Sequence, residues 1–284
     1  MSRTNILFKE DWLKYPSAIA DYGTKNETFL RMVSLYREMG VENCLWPLAL
    51  FNPQIQGLDP FDENLTEEQK VAIGIECQYN FWYFIREVVR IPPVAGPKPI
   101  SYKANRGNLA LSWTFMNNID VALIQPRQTG KSVSTDCIMV WLLYIGASNT
   151  TISMLTKDHT LRTKNVERLK KIRDYLPPYL VNLTTRDSDN QTDLTCKAKD
   201  NAYLTGVGQT SESAANNLGR GLTSPVQHID EGPFIRFIGT TIPAALASGT
   251  AAREEAQMYG RPYGNIFTTT AGKKDDRDGR YMYD

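Results

Sequence analysis

The sequence predicts an α/β protein with a mostly parallel sheet covered by helices on both faces. Three observations carry that expectation. Beyond residue 96, short apolar runs alternate with stretches of helical period, the pattern of βαβ units. One run, "DVALIQ" (120–125), leads through "QPRQTGKS" (125–132) into a helical stretch, the strand–loop–helix setting of a phosphate-binding loop. Another, "PVQHIDEG" (225–232), places two adjacent carboxylates near a strand end about a hundred residues further on.

Residues 1–95 read as a mostly helical, aromatic-rich subdomain, with 96–272 as the α/β core and 273–284 as a solvated charged tail. The stretch 65–91 is expected to form one helix. Thr66 is its N-cap, Gln69 completes a capping box, and Val71, Ile75, Phe81, Trp82, Ile85 and Val89 form its packing stripe. "PPVAGPKP" (92–99) marks a turn or linker. In the core, a helix is expected from Lys131 to Ile145 and a strand at 150–156. A basic helix over 160–177 is stopped by Pro177-Pro178, and a hairpin over 193–207 turns at Lys199-Asp200-Asn201. Strands at 225–232 and 264–272 flank a helical stretch at about 240–260.

Composition narrows the classes. A chain of 284 residues with 42% apolar and 22% charged residues can bury a sizeable core. The run 138–147 is too short to span a bilayer and residues 1–14 lack a signal-peptide pattern, so a soluble cytoplasmic protein is expected. Net charge is +1, so any nucleic-acid contact would need a local basic patch, with the helix 160–173 (Arg162, Lys164, Arg168, Lys170, Lys171, Arg173) or a merely solvated face as the alternatives. Cys44, Cys77, Cys137 and Cys196 are scattered and read as isolated thiols, and His159 and His228 are too far apart in sequence to suggest a metal pair.

The loop departs from the usual G-x-x-x-x-G-K-S/T pattern by carrying Gln125 where the first glycine should stand. Its backbone over Gln125, Pro126, Arg127, Gln128, Thr129 and Gly130, with Lys131, would cradle a polyphosphate, and Ser132 would offer its hydroxyl to Mg2+. Asp230 would hold Mg2+ from the other side and Glu231 would polarise the attacking water; a pair that only caps the next segment is the alternative. Arg127 inside the loop and the glycine-flanked Arg220 are candidates for stabilising transition-state charge, Arg220 as a mobile finger reaching a neighbouring subunit or as a solvated turn residue. Thr268, Thr269 and Thr270 end the last strand, where hydroxyls could sense the γ-phosphate. Gln227 and His228 stand at strand positions that are usually apolar, and His228 is expected to be a hydrogen-bonded, partly buried residue.

Taken in order, "FWYFIREVVRIP", "NRGNLA", "QPRQTGKS", "GRG", "HIDEG" and "TTTAG" resemble the ATPase domain of the large terminase subunit, the DNA-packaging motor of tailed bacteriophages, over about residues 75–284. The resemblance implies a RecA-like fold of the additional-strand, catalytic-glutamate class, and ATP hydrolysis that drives double-stranded DNA into a capsid. It also implies a homo-oligomeric ring on a portal protein, a small terminase subunit as partner, and action in the cytoplasm of the infected bacterium without a membrane. By motif position it gives Lys131, Ser132, Asp230, Glu231, Arg127 and Arg220 the roles named above, and makes Thr268, Thr269 and Thr270 the segment coupling hydrolysis to motion. A glutamine that reads adenine in many members has no counterpart in "YKANRGNLAL", where Asn105, Arg106 and Asn108 are the substitutes. The family's nuclease half is not visible in this chain, so nuclease activity is not expected. A helicase-like translocase, or a DNA- or portal-binding module with a structural nucleotide site, are the competing readings.

Overall fold

The computed structural model describes residues 11–93, 95–272 and 274–283. The first ten residues of the expected helical subdomain, Val94 of the expected turn, and Lys273 and Asp284 of the expected tail lie outside them.

Six strands form the central sheet: β1 (Val121–Ile124), β2 (Thr150–Thr156), β3 (Asp193–Cys196), β4 (Asn201–Val207), β5 (Val226–Asp230) and β6 (Gly264–Thr269). Their spatial order is β1-β6-β5-β2-β4-β3, and every pair is parallel except the β3–β4 hairpin. The fold is therefore the expected α/β class, with the last strand inserted between the loop-bearing β1 and the carboxylate-bearing β5. That insertion is the strand order of the expected RecA-like fold. The strands Thr150–Thr156, Val226–Asp230 and Gly264–Thr269 are almost wholly buried, as parallel strands under helices are, whereas Asn201–Val207 is partly open. β1 is one edge of the sheet, and its alternate residues Ala122 and Ile124 are exposed although the run is continuously apolar.

The helices that position the site are α1 (Glu67–Tyr79), α2 (Arg106–Met116), α3 (Lys131–Val140), α4 (His159–Asp174), α5 (Glu212–Gly221) and α6 (Ile238–Met258). One core joins α2, α3 and α4 to the sheet and runs on without a break into the N-terminal aromatics, from Phe29 and Trp82 through Trp141 to Ile152 and Ile266. The Trp141 indole donates to the Cys77 carbonyl at 2.7 Å, and its ring meets Phe81 edge-on. A smaller core of Leu155, Ile229, Ile238, Ile242 and Ala245 seals the other face under α6.

The capping box of Thr66 and Gln69 forms as read, but the helix does not reach residue 91. It stops at Asn80, whose side chain accepts from the backbone N–H groups of Trp82 and Tyr83 and so caps a new helical turn. A wide helical turn over Phe84–Val88 follows. The break rotates the later aromatics into the core and leaves Val71 and Ile75 on the surface, 60% and 54% exposed. All four cysteines are free and buried. The segment after residue 273 is not simply solvated. Arg277–Tyr281 forms a short helix, and Asp278 accepts from the backbone N–H groups of Phe237 and Ile238 at the start of α6.

Candidate nucleotide-binding site

The loop between β1 and α3 is built by its own side chains and by the start of α2. Gln125 extends the β1–β6 ladder through its N–H to the Thr269 carbonyl, at 3.1 Å. Its side chain lies over Gly107, where an added Cβ would have to push its amide end aside, and its Oε1 accepts from the Thr129 hydroxyl at 2.9 Å. Gln125 thus ties the two ends of the loop, with its amide end resting over Gly107 of the neighbouring helix. Gln128 (φ 64°) and Gly130 (φ 84°) are left-handed, turning the chain sharply into α3. Asn105 and Asn108 both donate to the Thr129 carbonyl, at 3.2 and 3.1 Å. These asparagines, candidates for reading a base, are here tethers of the loop.

Such a loop suits a polyphosphate. Its left-handed residues and the free first-turn N–H groups of α3 provide donors, and the helix dipole favours negative charge there. Lys131 and Ser132 are the first two residues of α3. The Lys131 side chain is buried, and its Nζ lies 3.5 Å from Oε1 of Glu231.

Glu231 follows β5 in a left-handed conformation (φ 59°), which turns its side chain away from the strand register and back toward the loop. Its N–H donates to the Thr268 carbonyl at 2.7 Å. Oε2 accepts from the hydroxyls of Thr269 and Thr270, at 3.3 and 3.1 Å. Asp230 is buried: Oδ1 accepts from the Thr268 hydroxyl and Oδ2 from the Asn165 amide, both at 2.9 Å. Each oxygen retains a second lone pair, so the carboxylate can still serve a cation. Among the described residues no group of three or more His, Cys, Asp or Glu side chains gathers to hold a metal. A Mg2+ here would therefore rest on nucleotide oxygens with Ser132 and Asp230.

The three threonines, on the strand between the loop and the carboxylates, thus touch both Asp230 and Glu231. His228 is fully buried beneath them, with Nε2 2.8 Å from the Thr268 hydroxyl, and desolvation pushes its pKa down to about 4. Gln227, the other polar strand residue, donates to the carbonyls of Leu222 and Ala245 and pins α6 to the strand.

Sequence reasoning missed Asn165 and Asp136, and read Arg168 only as part of a basic face. Arg168 donates to the Asn165 side-chain oxygen at 2.9 Å and pairs with Asp136, whose pKa burial raises to about 6 against the lowering effect of Arg168. Arg173 pairs with Asp174 and Asp189, and Lys170 with Asp189. Half of the expected basic face is thus engaged in the protein itself, leaving Lys164 and Lys171 exposed. Arg127 is exposed on the loop. Arg220 is exposed in the last turn of α5 and not on a flexible loop. Its neighbour Gly219 is a packing glycine: a Cβ there would meet the Thr241 carbonyl at 2.5 Å and the Ala244 Cβ at 2.7 Å.

With this geometry in view, comparison with solved structures returns bacteriophage proteins. The chain is similar in structure to phage large terminases. The large terminase of bacteriophage HK97 aligns at 17% identity with a TM-score of 0.47, covering 74% of this chain and 40% of that one. That of a thermophilic bacteriophage aligns at 16% and 0.42, covering 58% and 38%. The ATPase domain of a Thermus phage large terminase aligns at 17% and 0.40, covering 61% and 66%. The chain therefore spans about two-fifths of the length of the first two. No family model and no curated protein matches it. Among the described residues no helix is long and apolar enough to cross a membrane.

Proposed function

We propose that this chain is an ATPase domain whose hydrolysis drives double-stranded DNA into a viral capsid. Portal protein and small terminase subunit would be its partners, a ring of copies its working form, and the infected host's cytoplasm its setting. The observation that carries the ATPase reading is the 3.5 Å approach of Lys131 to Glu231, with Thr269 and Thr270 holding the same carboxylate. The DNA-packaging reading rests on the ordered motifs from "FWYFIREVVRIP" to "TTTAG".

In this reading Lys131 and the loop N–H groups bind the β- and γ-phosphates, and the tethers from Asn105 and Asn108 hold the loop in shape. Ser132 and Asp230 would hold Mg2+, which would supply charge neutralisation at the phosphate oxygens. A polyphosphate brings more negative charge to Lys131 than one carboxylate does, so its arrival frees Oε1 of Glu231. That oxygen then takes a proton from water as the water oxygen bonds to the γ-phosphorus and the bond to the ADP oxygen breaks. Arg127 in cis, or Arg220 from a neighbouring copy, offsets the charge on the transferring group.

The test is ATP turnover per molecule across a wide range of protein concentration, with Glu231→Gln as the blank. Turnover above the blank is expected, and retention of ATP by the variant is expected with it. Equal rates in the two proteins under packaging conditions, with portal and DNA present, would overturn the assignment.

A further inference from the structure

Asp230 is gripped from outside the candidate site, by a chain of three side chains that ends on the loop's own helix. Asn165, in the middle of α4 and 2% exposed, donates through Nδ2 to Oδ2 of Asp230. Its Oδ1 accepts from Nη2 of Arg168, one turn further along α4. Arg168 Nε donates to Asp136, which is 1% exposed and lies on α3, one turn beyond Lys131 and Ser132. We propose that Asn165, oriented by Arg168 and Asp136, is a positioning residue that sets the Asp230 carboxylate for the divalent cation bound with the nucleotide. The inference rests on the nucleotide-site reading above and adds to it how the carboxylate is aimed.

Donor and acceptor chemistry fixes the direction of every link. Arginine only donates, so the Asn165 oxygen must face Arg168 and its NH2 must face Asp230. The amide cannot flip without opposing two donors at one end and two acceptors at the other. Asp136 holds the guanidinium in turn, so the direction of the Asn165 amide is set from both ends. On the far side of the carboxylate the Thr268 hydroxyl fixes the other oxygen. A buried ion pair is no better for stability than apolar packing of the same volume. What Asp136 and Arg168 add at this seam is alignment: the helix that carries Ser132 is tied to the strand end that carries Asp230, the two residues that would share the cation.

The simpler account is that Asn165 only fills the space between α4 and the sheet. Asn165→Leu separates the two, because it keeps the volume and removes both hydrogen bonds. The measurement is the affinity of the full chain for a fluorescent ATP analogue in EDTA and across a Mg2+ titration, with thermal unfolding to establish that the variant is folded. Metal-free affinity should stay at the wild-type value while the half-saturating Mg2+ concentration rises about tenfold, the usual effect of losing a residue that orients a metal ligand. Arg168→Lys, which keeps the charge beside Asp136 but not the fork, should move it in the same direction by less and covers the case in which Asn165→Leu does not fold. In an Asp230→Asn background, Asn165→Leu should have no further effect on the Mg2+ requirement. A folded Asn165→Leu protein with wild-type Mg2+ dependence, or one losing affinity equally in EDTA and Mg2+, would overturn the inference alone. Absence of nucleotide binding by the unmutated protein would overturn the nucleotide-site reading and this inference with it.

Discussion

Lys131 and Glu231 are a hundred residues apart in sequence and their side chains meet at 3.5 Å. Each has a second allegiance. Lys131 stands at the start of the loop's helix, and Glu231 is held by the threonines of the strand between. Removing the lysine should therefore affect ligand and fold very differently. Lys131→Ala should lower affinity for Mg-ATP by a hundredfold or more, on the order of 3 kcal/mol. Glu231 keeps its hydroxyl donors, so unfolding stability should drop by only about 1 kcal/mol. Titration calorimetry and urea unfolding on the same preparation check both, and undiminished affinity would remove the loop from the proposal.

Arg220 is exposed, so replacing it should leave the fold alone. Arg220→Ala is expected to change stability by less than about 0.5 kcal/mol. If the residue completes a neighbour's site, specific activity should rise with protein concentration in the wild type and stay flat in the variant. A wild-type rate already flat with concentration would give the charge-stabilising role to Arg127, and Arg127→Ala would then lose turnover at every concentration.

The glycines on either side of Arg220 should respond in opposite ways. Gly219→Ala forces a methyl group against the Thr241 carbonyl and the Ala244 side chain, and should cost about 1–3 kcal/mol as α5 and α6 separate. At Gly221 a Cβ meets nothing within 4 Å, and alanine there should be neutral or stabilising by up to about 1 kcal/mol. Thermal unfolding of the two variants is sufficient. Equal effects would mean that the helices do not pack as closely as described.

Two buried groups oppose one another in acid. His228 has its pKa lowered from 6.5 to about 4, by burial against the raising effect of Asp230. Between those values the unfolded chain binds more protons than the folded one, and stability falls as pH drops. Asp136, raised from 3.8 to about 6, has the opposite sign: the folded chain holds the extra proton, and stability rises as pH drops. Over roughly pH 4 to 6 the two contributions offset. His228→Gln should expose the Asp136 contribution, so the variant should gain on the wild type by on the order of 3 kcal/mol between pH 6.5 and 4. Urea midpoints across that range measure it, and a difference independent of pH would rule the histidine out.

The sheet was legible from short strand-like runs and from the alternation of the 193–207 hairpin, and all six strands lie within a few residues of those stretches. The loop and the Asp230–Glu231 pair were legible through spacing and strand context. What was hidden depended on facing. Asn80 is a good cap, yet the aromatic run after it continues a helical period and masks the break. Arg168 and Asn165 sit in a helix whose charges suggest solvent, because nothing in their spacing tells that Asp136 and Asp230 wait on the other side. The Gln125 side chain rests over Gly107, eighteen residues earlier, a contact visible only once α2 and the loop are seen together.

The strand order has a consequence for biosynthesis. Among the described residues β1 pairs with no strand except β6, and β6 is the last of these six strands to leave the ribosome. Until residue 269 has emerged, the nascent chain holds its loop on an orphaned strand, with β5 waiting for the same late arrival on its opposite edge. The slow, non-local closure of that gap joins the loop to the carboxylates in one event. A chain released before it would carry every residue of the "QPRQTGKS" loop and the "HIDEG" carboxylates in an unassembled site, with an open edge exposed to aggregation.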